Sequence, residues 1–352
     1  MDSHNTTRSI IQEEFENCFF SIHGFVEYLS KQLKKHKLPI ITRKTNKISI
    51  GEKIGEGELT DVMKGTVDGE DVVFKLFPKI NYETKASKNI SHIISDIFVM
   101  STINDPNLPK FYGLFIEDEF KSFGFVIEFL NGKTLDNHVL GPIEYNLETE
   151  KQEDRIGSND EILKEPTRKL LISEKEITEL LIQLTEIFVR LEDKVFVFKN
   201  MLPKNIIVVP VEIHGKKKNK IVLIDYGQSL TSEVDPECRL FRENAKITPI
   251  YNPPEGNKNR DDEIRTISTK FDVWSIGCLM IHMFTGVRPW SKYTDISKVY
   301  VALKNMPTDV YEKVNPNCIV LPIIKKCCVE KLEERIDSRE LLFLLKELHQ
   351  SL

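Results

Sequence analysis

The hydrophobic pattern of the chain changes its period near residue 48, which separates a predicted helical arm from a mixed domain. Between residues 10 and 38, apolar side chains recur mostly at spacings of three and four, as in an amphipathic helix or helix pair. Pro39 ends this pattern. We therefore predict a helical arm over residues 1–46, which either packs on the neighbouring domain or binds a partner.

From Ile48 onward the pattern predicts strands. Apolar and polar residues alternate around Gly and Asp-Gly turns over residues 48–77, which is typical of antiparallel strands. A helix is predicted over Ile90–Ile103, and two more strands follow within residues 111–130. Five strands and one helix make a small α+β lobe, which we assign to residues 47–130.

The rest of the chain, residues 131–352, is predicted to be mainly helical. The segment Glu174–Lys194 is strongly amphipathic, and a more uniformly apolar segment predicts a buried helix that ends at Gly286. Further helices are expected from about Ile296 and from Ile319 to the C-terminus.

Two polar stretches interrupt this helical part. The basic run GKKKNK at residues 215–220 lies between two apolar runs, so we predict a strand pair joined by an exposed turn. Residues from about 140 to 172 are charge-rich, with few apolar positions and no clear period. They predict a surface insertion.

Composition narrows the class of protein. The chain has 352 residues, 40% hydrophobic and 29% charged, which is enough to bury a sizeable core. A net charge of −5 argues against a nucleic-acid binder. Six scattered cysteines without metal-site spacing indicate reduced thiols, and no apolar run reaches the roughly 18–20 residues of a membrane span. We expect a cytoplasmic protein, with the nucleus also possible.

Several short motifs carry the candidate chemistry. In chain order they are IGEGELTDV (Ile54–Val62), VVFKLF around Lys75, FKNMLPKN (Phe198–Asn205), IVLIDYGQS around Asp225, and TPIYNPPEG around Glu255. Together and in this order they resemble the Gly-rich loop, strand lysine, catalytic loop, D-F-G motif and activation-segment end of protein kinases. The resemblance implies a two-lobed protein kinase-like fold, with an antiparallel β-sheet N-lobe over residues 47–130 and a mainly helical C-lobe over residues 131–352.

The resemblance also implies that the chain binds ATP with Mg²⁺. Gly55 and Gly57 match two glycines of the phosphate-covering loop, while Thr60 stands at the third. Lys75 matches the lysine that holds the α- and β-phosphates, and Asp96 stands where its Glu partner is usual. The remaining positions implied to contact the nucleotide are Ile54, Val62, Val73, Glu128, Leu130 and Ile207. Asn205 and Asp225 match the two metal ligands.

The catalytic loop departs from the family pattern. Asn200 replaces the Asp that accepts or orients the substrate hydroxyl, and Leu202 replaces the Lys that neutralises the transferred phosphate. An amide can orient a hydroxyl but has no basic lone pair at neutral pH. Lys204 lies four residues after Asn200, and either it supplies the missing charge or it is a surface lysine. Lys199 replaces the Arg that binds a phosphorylated activation segment.

Other matched positions have structural or regulatory roles in the family. Glu255 is expected to pair with Arg335, and Asp272 is expected to brace the catalytic loop. The family's stack of four apolar side chains corresponds to Met100, Phe111, Phe198 and Tyr226. Control by a phosphate group on Ser229, Thr231 or Ser232 is an open alternative.

Three functional hypotheses follow. The first is a pseudokinase, inactive or weakly active, that binds ATP and Mg²⁺ and acts as a regulatory or scaffolding protein in signalling. The second is an active serine/threonine-type kinase that uses Asn200 and Lys204, and the retained Thr248 favours it. The third is a nucleotide-free interaction module, suggested by Thr60, Val73 and Asp96. In each case a protein partner or substrate is expected, and no nucleic acid.

Overall fold

The described part of the chain covers most of the predicted domain. The computed structural model describes residues 39–56, 60–77, 95–97, 99–117, 122–142, 167–230, 249–257, 268–293 and 295–352. The predicted helical arm up to residue 38, Gly57 and the central part of the predicted insertion lie outside these residues.

The described chain forms two compact units. The first contains the described residues up to Leu130 together with Tyr226–Gln228. The second contains Asn131–Asp225, Ser229 and Leu230, and the described residues from 249 to the C-terminus. The first is built on a β-sheet and the second is mainly helical, so the predicted α+β kinase-like fold is confirmed.

The first unit is built on a six-stranded sheet. Its strands are β1 (Ile40–Ile41), β2 (Ile48–Glu56), β3 (Asp61–Val67), β4 (Glu70–Leu76), β5 (Phe111–Glu117) and β6 (Ser122–Glu128). Their order across the sheet is β1-β5-β6-β4-β3-β2. The pairs among β2 to β6 are antiparallel, as the alternating pattern predicted.

An Asp-Gly turn fixes the register at the centre of this sheet. Asp68 and Gly69 both have positive φ, 52° and 91°, as a two-residue hairpin turn requires. The turn joins β3 to β4 and places Val62 opposite Lys75. Behind the strands, Phe74 packs edge-on against Phe115 with ring centroids 5.3 Å apart. The register and this buried face together hold Lys75 in place.

The strand β1 lies in the last residues of the segment 1–46 that we assigned to the arm, after Pro39, where the helical pattern ends. The helix predicted before Pro39 lies outside the described residues and stays a prediction. Ile40 and Ile41 pair in parallel with Leu114 and Phe115 of β5, and the Leu114 N–H donates to the carbonyl of Pro39 at 2.9 Å. These two β-branched residues follow a proline, which disfavours helix and suits an edge strand.

The second unit combines six α-helices with a small sheet in its described residues. The helices are α1 (Leu135–Val139), α2 (Glu174–Arg190), α3 (Lys270–Thr285), α4 (Ile296–Asn305), α5 (Leu321–Cys327) and α6 (Ser338–Ser351). The strands are β7 (Lys133–Thr134), β8 (Ile206–Ile213) and β9 (Lys216–Leu223), in the order β7-β8-β9. The single helix predicted from Ile319 is in fact α5 and α6, because Asp337 caps a new helix by accepting from the Glu340 N–H.

The helix α2 begins at the predicted residue but ends at Arg190, four residues before the predicted Lys194, whereas α3 ends where the sequence indicated. Ser173 and Glu176 form a reciprocal capping box at the start of α2. The helix α3 is buried on nearly all sides and ends at Gly286, whose φ is +68°. A Cβ at Gly286 would lie 1.9 Å from the carbonyl oxygen of Arg168, so only glycine fits there.

The basic run GKKKNK is a strand and not a turn. Lys216–Leu223 forms β9, and the turn to β8 is made by His214 and Gly215, both with positive φ. The outer half of this hairpin, from Glu212 to Lys218, is exposed. The outer part of β9 therefore has no buried face, and the periodic pattern that reveals a strand is missing there.

One residue near the C-terminal end of the predicted insertion, Arg168, is buried, whereas Thr167, Lys169 and Leu171 around it are exposed. Leu140 and Leu170 form an antiparallel bridge, and Arg168 is 7% exposed. The Arg168 guanidinium donates to the carbonyl of Gly141 at 2.6 Å and pairs with Asp136 at 3.3 Å. Charge-rich composition concealed this burial because Arg168 is satisfied by local acceptors.

Two further features concern the described residues alone. No helix among them is long and apolar enough to cross a bilayer. Cys278, Cys318, Cys327 and Cys328 carry free thiols.

Candidate functional site

In the first unit, Lys75 and Asp96 form a buried ion pair. Lys75 lies on β4, and its Nζ is 2.6 Å from Oδ2 of Asp96 in the helical segment at residues 95–97. The two side chains are 16% and 5% exposed. The shorter acid in place of the usual Glu therefore still reaches the strand lysine.

The same carboxylate also fixes the start of the D-F-G-like motif. The backbone N–H of Tyr226 donates to Oδ1 of Asp96 at 2.6 Å, and the Ser95 hydroxyl donates to the carbonyl of Tyr226 at 2.9 Å. The backbone N–H and carbonyl of the fully buried Tyr226 are thus both hydrogen-bonded, to the side chains of Asp96 and Ser95. Sequence reasoning missed Ser95, and the only signal was its position next to Asp96.

The remaining nucleotide candidates of the first unit lie on its sheet or just after it. Ile54 and Gly55 are on β2, Val62 is on β3, Val73 is on β4, Glu128 ends β6, and Leu130 follows it. Val73 is only 7% exposed, whereas Ile54 is 46% exposed. Glu128 is held by its backbone N–H, which donates to the Lys110 carbonyl at 2.9 Å. Their nucleotide contacts stay predictions.

In the second unit, the catalytic-loop residues converge on Asp225. The Nδ2 of Asn200 donates to Oδ2 of Asp225 at 2.9 Å and approaches the Asp225 carbonyl at 3.3 Å. The Nδ2 of Asn205 donates to the Asn200 carbonyl at 3.0 Å. Ile207, the nucleotide candidate of this unit, is half-buried on β8. The structure thus places Asn200 in contact with both Asn205 and Asp225, while the metal contacts implied for Asn205 and Asp225 stay predictions.

The chemistry of Asn205 and Asp225 fits a magnesium ion. The amide nitrogen of Asn205 donates to the Asn200 carbonyl, so the Oδ1 of Asn205 is the side-chain atom that can act as a metal ligand. Asp225 lies two residues after the buried end of β9, with φ at +69°. A carboxylate and an amide oxygen are the hard ligands that Mg²⁺ prefers.

The two remaining loop candidates differ in exposure. Leu202 is half-buried and precedes the 3₁₀ turn Pro203–Asn205. Lys204 is exposed on that turn. The loop thus carries an apolar side chain where a kinase has its second catalytic charge, and the candidate replacement, Lys204, faces solvent.

Asp272 braces this loop from α3. Its carboxylate accepts from the backbone N–H of Phe198 at 2.6 Å and of Lys199 at 3.0 Å. Burial raises the pKa of Asp272 to about 7, although these two donors and the Lys199 charge act in the opposite direction. The predicted bracing role is matched by this geometry.

Asp272 should make the protein less stable as pH rises. Between about pH 4 and pH 7 the folded protein keeps a proton on Asp272 that the unfolded chain releases, which favours unfolding by at most about 1.4 kcal/mol per pH unit. His282 has the opposite effect, because burial lowers its pKa to about 3. Urea denaturation of wild type and Asp272→Asn across this range isolates the Asp272 contribution as the difference of two profiles. Parallel profiles would contradict the assignment.

The burial of Ser229 bears on the alternative of control by phosphorylation. Ser229 is fully buried, and its hydroxyl donates to the Phe198 carbonyl at 3.1 Å, so it is not an accessible phosphorylation site in this conformation.

Lys199, at the position of the Arg that binds a phosphorylated activation segment, is 4% exposed with φ at +60°. Its Nζ lies 6.0 Å from the centroid of the Phe271 ring. Thr231, Ser232 and Thr248 lie outside the described residues.

The predicted pair between Glu255 and Arg335 is present in the second unit. The Arg335 guanidinium binds both carboxylate oxygens of Glu255, at 2.6 and 3.1 Å. It also donates to the carbonyls of Lys270 and Val329 and lies 5.2 Å from the Trp274 ring centroid. This cluster anchors the end of the activation-segment-like motif.

The four predicted stack residues differ in burial. Phe198 and Tyr226 are fully buried, Met100 is 8% exposed, and Phe111 is half-buried. Met100, Phe111 and Tyr226 belong to the first unit and Phe198 to the second. The stack itself stays a prediction.

Comparison with known proteins gives a match over most of the chain. The sequence model of the protein kinase domain matches residues 48–344. The "Dual specificity protein kinase Ttk" of Danio rerio is 28% identical over 151 residues, which cover 42% of this chain and 14% of that protein.

Two plant proteins match over a longer region. The "Serine/threonine-protein kinase ATG1a" of Arabidopsis thaliana is 23% identical over 295 residues, which cover 82% of this chain and 40% of that protein. The "MAP3K epsilon protein kinase 2" of the same plant is 21% identical over 299 residues, which cover 84% of this chain and 18% of that protein. The matched region is thus less than half the length of each of the three relatives.

Proposed function

Since this chain belongs to the protein kinase domain family, we propose that it binds ATP with Mg²⁺ but transfers the γ-phosphate slowly or not at all. Its role is then that of a regulatory or scaffolding protein in signalling, which acts on a protein partner through its conformation. The observation that carries this proposal is the Asn200 amide at the catalytic position, hydrogen-bonded to Asp225 at 2.9 Å.

Poor transfer follows from two missing groups. Asn200 cannot take a proton from a substrate hydroxyl, and general-base catalysis contributes roughly 10²–10⁴-fold. Leu202 offers no charge to the transferred phosphate, and loss of one electrostatic donor costs on the order of 10²–10³-fold. The two losses act on the same step and need not multiply. Even one of them leaves the enzyme slow.

Nucleotide binding is supported by Lys75, Asn205 and Asp225, which match the nucleotide- and metal-binding positions of the family. By their motif positions, Lys75 would bind phosphate oxygens, while Asn205 and Asp225 would hold Mg²⁺ through oxygen atoms. When bound, the ion would offset negative charge on the β- and γ-phosphates. The buried pair of Lys75 with Asp96 supports this proposal because it orients the lysine side chain at 2.6 Å from its partner.

Addition of MgATP should raise the melting temperature of the protein. A ligand at 100 times its Kd adds about 2.7 kcal/mol to the free energy of unfolding. The shift in melting temperature should shrink in Lys75→Ala and persist in the control Lys64→Ala. Lys64 also lies on the sheet, on β3, but its Nζ is 3.9 Å from the exposed carboxylate of Asp71. Differential scanning fluorimetry with and without MgATP measures this for each variant.

The absence of any shift in the wild type would favour the nucleotide-free module instead. Equal shifts in Lys75→Ala and in the wild type would place the nucleotide elsewhere.

An active serine/threonine-type kinase is the second candidate, and the intact ion pair of Lys75 with Asp96 favours it. In that case Asn200 orients the hydroxyl and Lys204 supplies the charge. Lys204→Ala should then abolish phosphate transfer by the wild type. Under the first proposal, transfer appears only in the double variant Asn200→Asp/Leu202→Lys, and Lys204→Ala has no effect on it.

A further inference from the structure

The bond between Asn200 and Asp225 gives this site a property that a catalytic Asp could not give it. The Asn200 side chain is 8% exposed, and its nitrogen faces two acceptors of the same residue, the carboxylate oxygen at 2.9 Å and the backbone carbonyl at 3.3 Å. Because both neighbours are acceptors, the amide nitrogen and not its oxygen must point at Asp225.

The loop backbone holds Asn200 in this orientation. The Asn200 carbonyl accepts from Nδ2 of Asn205 at 3.0 Å and from the N–H of Leu202 at 2.7 Å. On the other side, Asp225 has φ at +69°, a conformation that an Asp residue adopts at some cost. A donor that binds both its carboxylate and its carbonyl helps to stabilise that conformation.

An Asp at position 200 would reverse the interaction. Two carboxylates carry only acceptors when ionised, so at this separation they repel unless a cation or a shared proton lies between them. Asparagine has nearly the same shape but carries no charge and supplies a donor.

We propose that Asn200 takes the place of a divalent cation at Asp225, so that the loop keeps its arrangement without bound metal. Asn200 is thus a positioning residue: it orients a ligand of the proposed magnesium site before any ion arrives. The inference deepens the proposed function and rests on it only for the use of Asp225 in nucleotide binding. An Asn in place of Asp at position 200 therefore does more than remove a base: it also adds the hydrogen bond to Asp225.

Thermal unfolding without nucleotide tests this proposal, with MgCl₂ or EDTA as the probe. The wild type should melt at the same temperature in both. Asn200→Asp should lose roughly 6 °C or more in EDTA, since it buries a charge beside another of the same sign. Added MgCl₂ should restore most of that loss. A wild type that responds to MgCl₂ as strongly as Asn200→Asp would overturn the proposal, as would an Asn200→Asp variant that melts like the wild type in EDTA.

A matched control exists at the surface. Asn46 also donates from Nδ2 to a carboxylate, Oδ2 of Asp68, at 2.7 Å, but both side chains are exposed. Asn46→Asp makes the same chemical change in water, where the repulsion is screened. Its melting temperature should show little dependence on MgCl₂. A magnesium response as large as that of Asn200→Asp would mean that the effect is not specific to the loop.

A second variant decides the matter if Asn200→Asp fails to fold. Asn200→Ala removes the donor without adding charge, so MgCl₂ should stabilise it more than the wild type. No gain over the wild type would overturn the proposal. Because nucleotide is absent from all of these samples, failure of ATP binding leaves these outcomes unchanged and is detected separately by the MgATP shift.

Discussion

Replacing Arg335 by Met should lower the free energy of unfolding by about 3–5 kcal/mol, the usual effect of removing one partner from a buried ion pair. The Arg335 side chain is fully buried, and that of Glu255 is 22% exposed. Methionine fills much of the volume but leaves the Glu255 carboxylate without its two donors. The carbonyls of Lys270 and Val329 lose their bonds as well. Urea denaturation measures the change.

Arg339 provides the matched control for this variant. Its Nε is 2.6 Å from Oε2 of Glu192, but its side chain is 63% exposed. Exposed pairs contribute about 0–1 kcal/mol, so Arg339→Met should differ little from the wild type. The assignment would be wrong if Arg335→Met and Arg339→Met had the same effect. A further variant, Arg335→Lys, keeps the charge but not the two-pronged geometry and should recover only part of the stability.

Replacing Asp96 should have the second large effect, and the result should depend on side-chain length. Asp96→Asn leaves Lys75 without its charged partner and should cost about 3–5 kcal/mol. Asp96→Glu restores the residue usual in the family, yet it should also destabilise the protein. Both carboxylate oxygens of Asp96 accept hydrogen bonds of 2.6 Å, one from Lys75 Nζ and one from the Tyr226 N–H, and Asp96 is only 4% exposed. An extra methylene in such a site costs typically 1–3 kcal/mol.

Asp71 on β4 is the control for these substitutions. It lies 3.9 Å from Lys64 and is 60% exposed, so Asp71→Asn should change the free energy of unfolding by less than about 1 kcal/mol. Chemical denaturation of the four proteins in parallel gives the comparison. An Asp96→Glu variant as stable as the wild type would show that the helical segment adjusts to the longer side chain, against the expectation from this geometry.

Much of the fold was predictable because its signals are local. The Asp-Gly turn at residues 68 and 69 and the alternation around it predicted the hairpin that positions Lys75. The apolar run that ends at Gly286 predicted the helix that carries Asp272. Motif order then indicated Asp96 as the candidate partner of Lys75 and Arg335 as the partner of Glu255, and both pairs are present.

The features that the sequence did not reveal depend on distant contacts. Ile40–Ile41 forms a strand only because β5 offers an edge more than 70 residues later. Arg168 is buried because the carbonyls around Gly141 fold back over it. Ser229 appears polar and accessible in the sequence, yet the Phe198 carbonyl lies within hydrogen-bond distance of its buried hydroxyl. Each case is a tertiary interaction that overrides local propensity.

The candidate site shows the same division between local and distant information. The replacement of the catalytic Asp by Asn200 is visible in the sequence, and so is the loss of the base. The hydrogen bond from Asn200 to Asp225 is not visible there, because it depends on the loop geometry set by Asn205 and Asp272. The amide at position 200 was therefore evident from the sequence, while the hydrogen bond that it makes required the structure.

Transfer of labelled γ-phosphate from MgATP, to the protein itself and to a generic protein substrate, tests the central claim most directly. The assay compares the wild type, the double variant Asn200→Asp/Leu202→Lys, and each of them with Asp225→Ala. The account predicts little or no label on the wild type above its Asp225→Ala control, and far more label on the double variant, which disappears when Asp225 is replaced. Label on the wild type that equals that on the double variant and is lost in Asp225→Ala would contradict it and would make this chain an active kinase with an unusual catalytic loop.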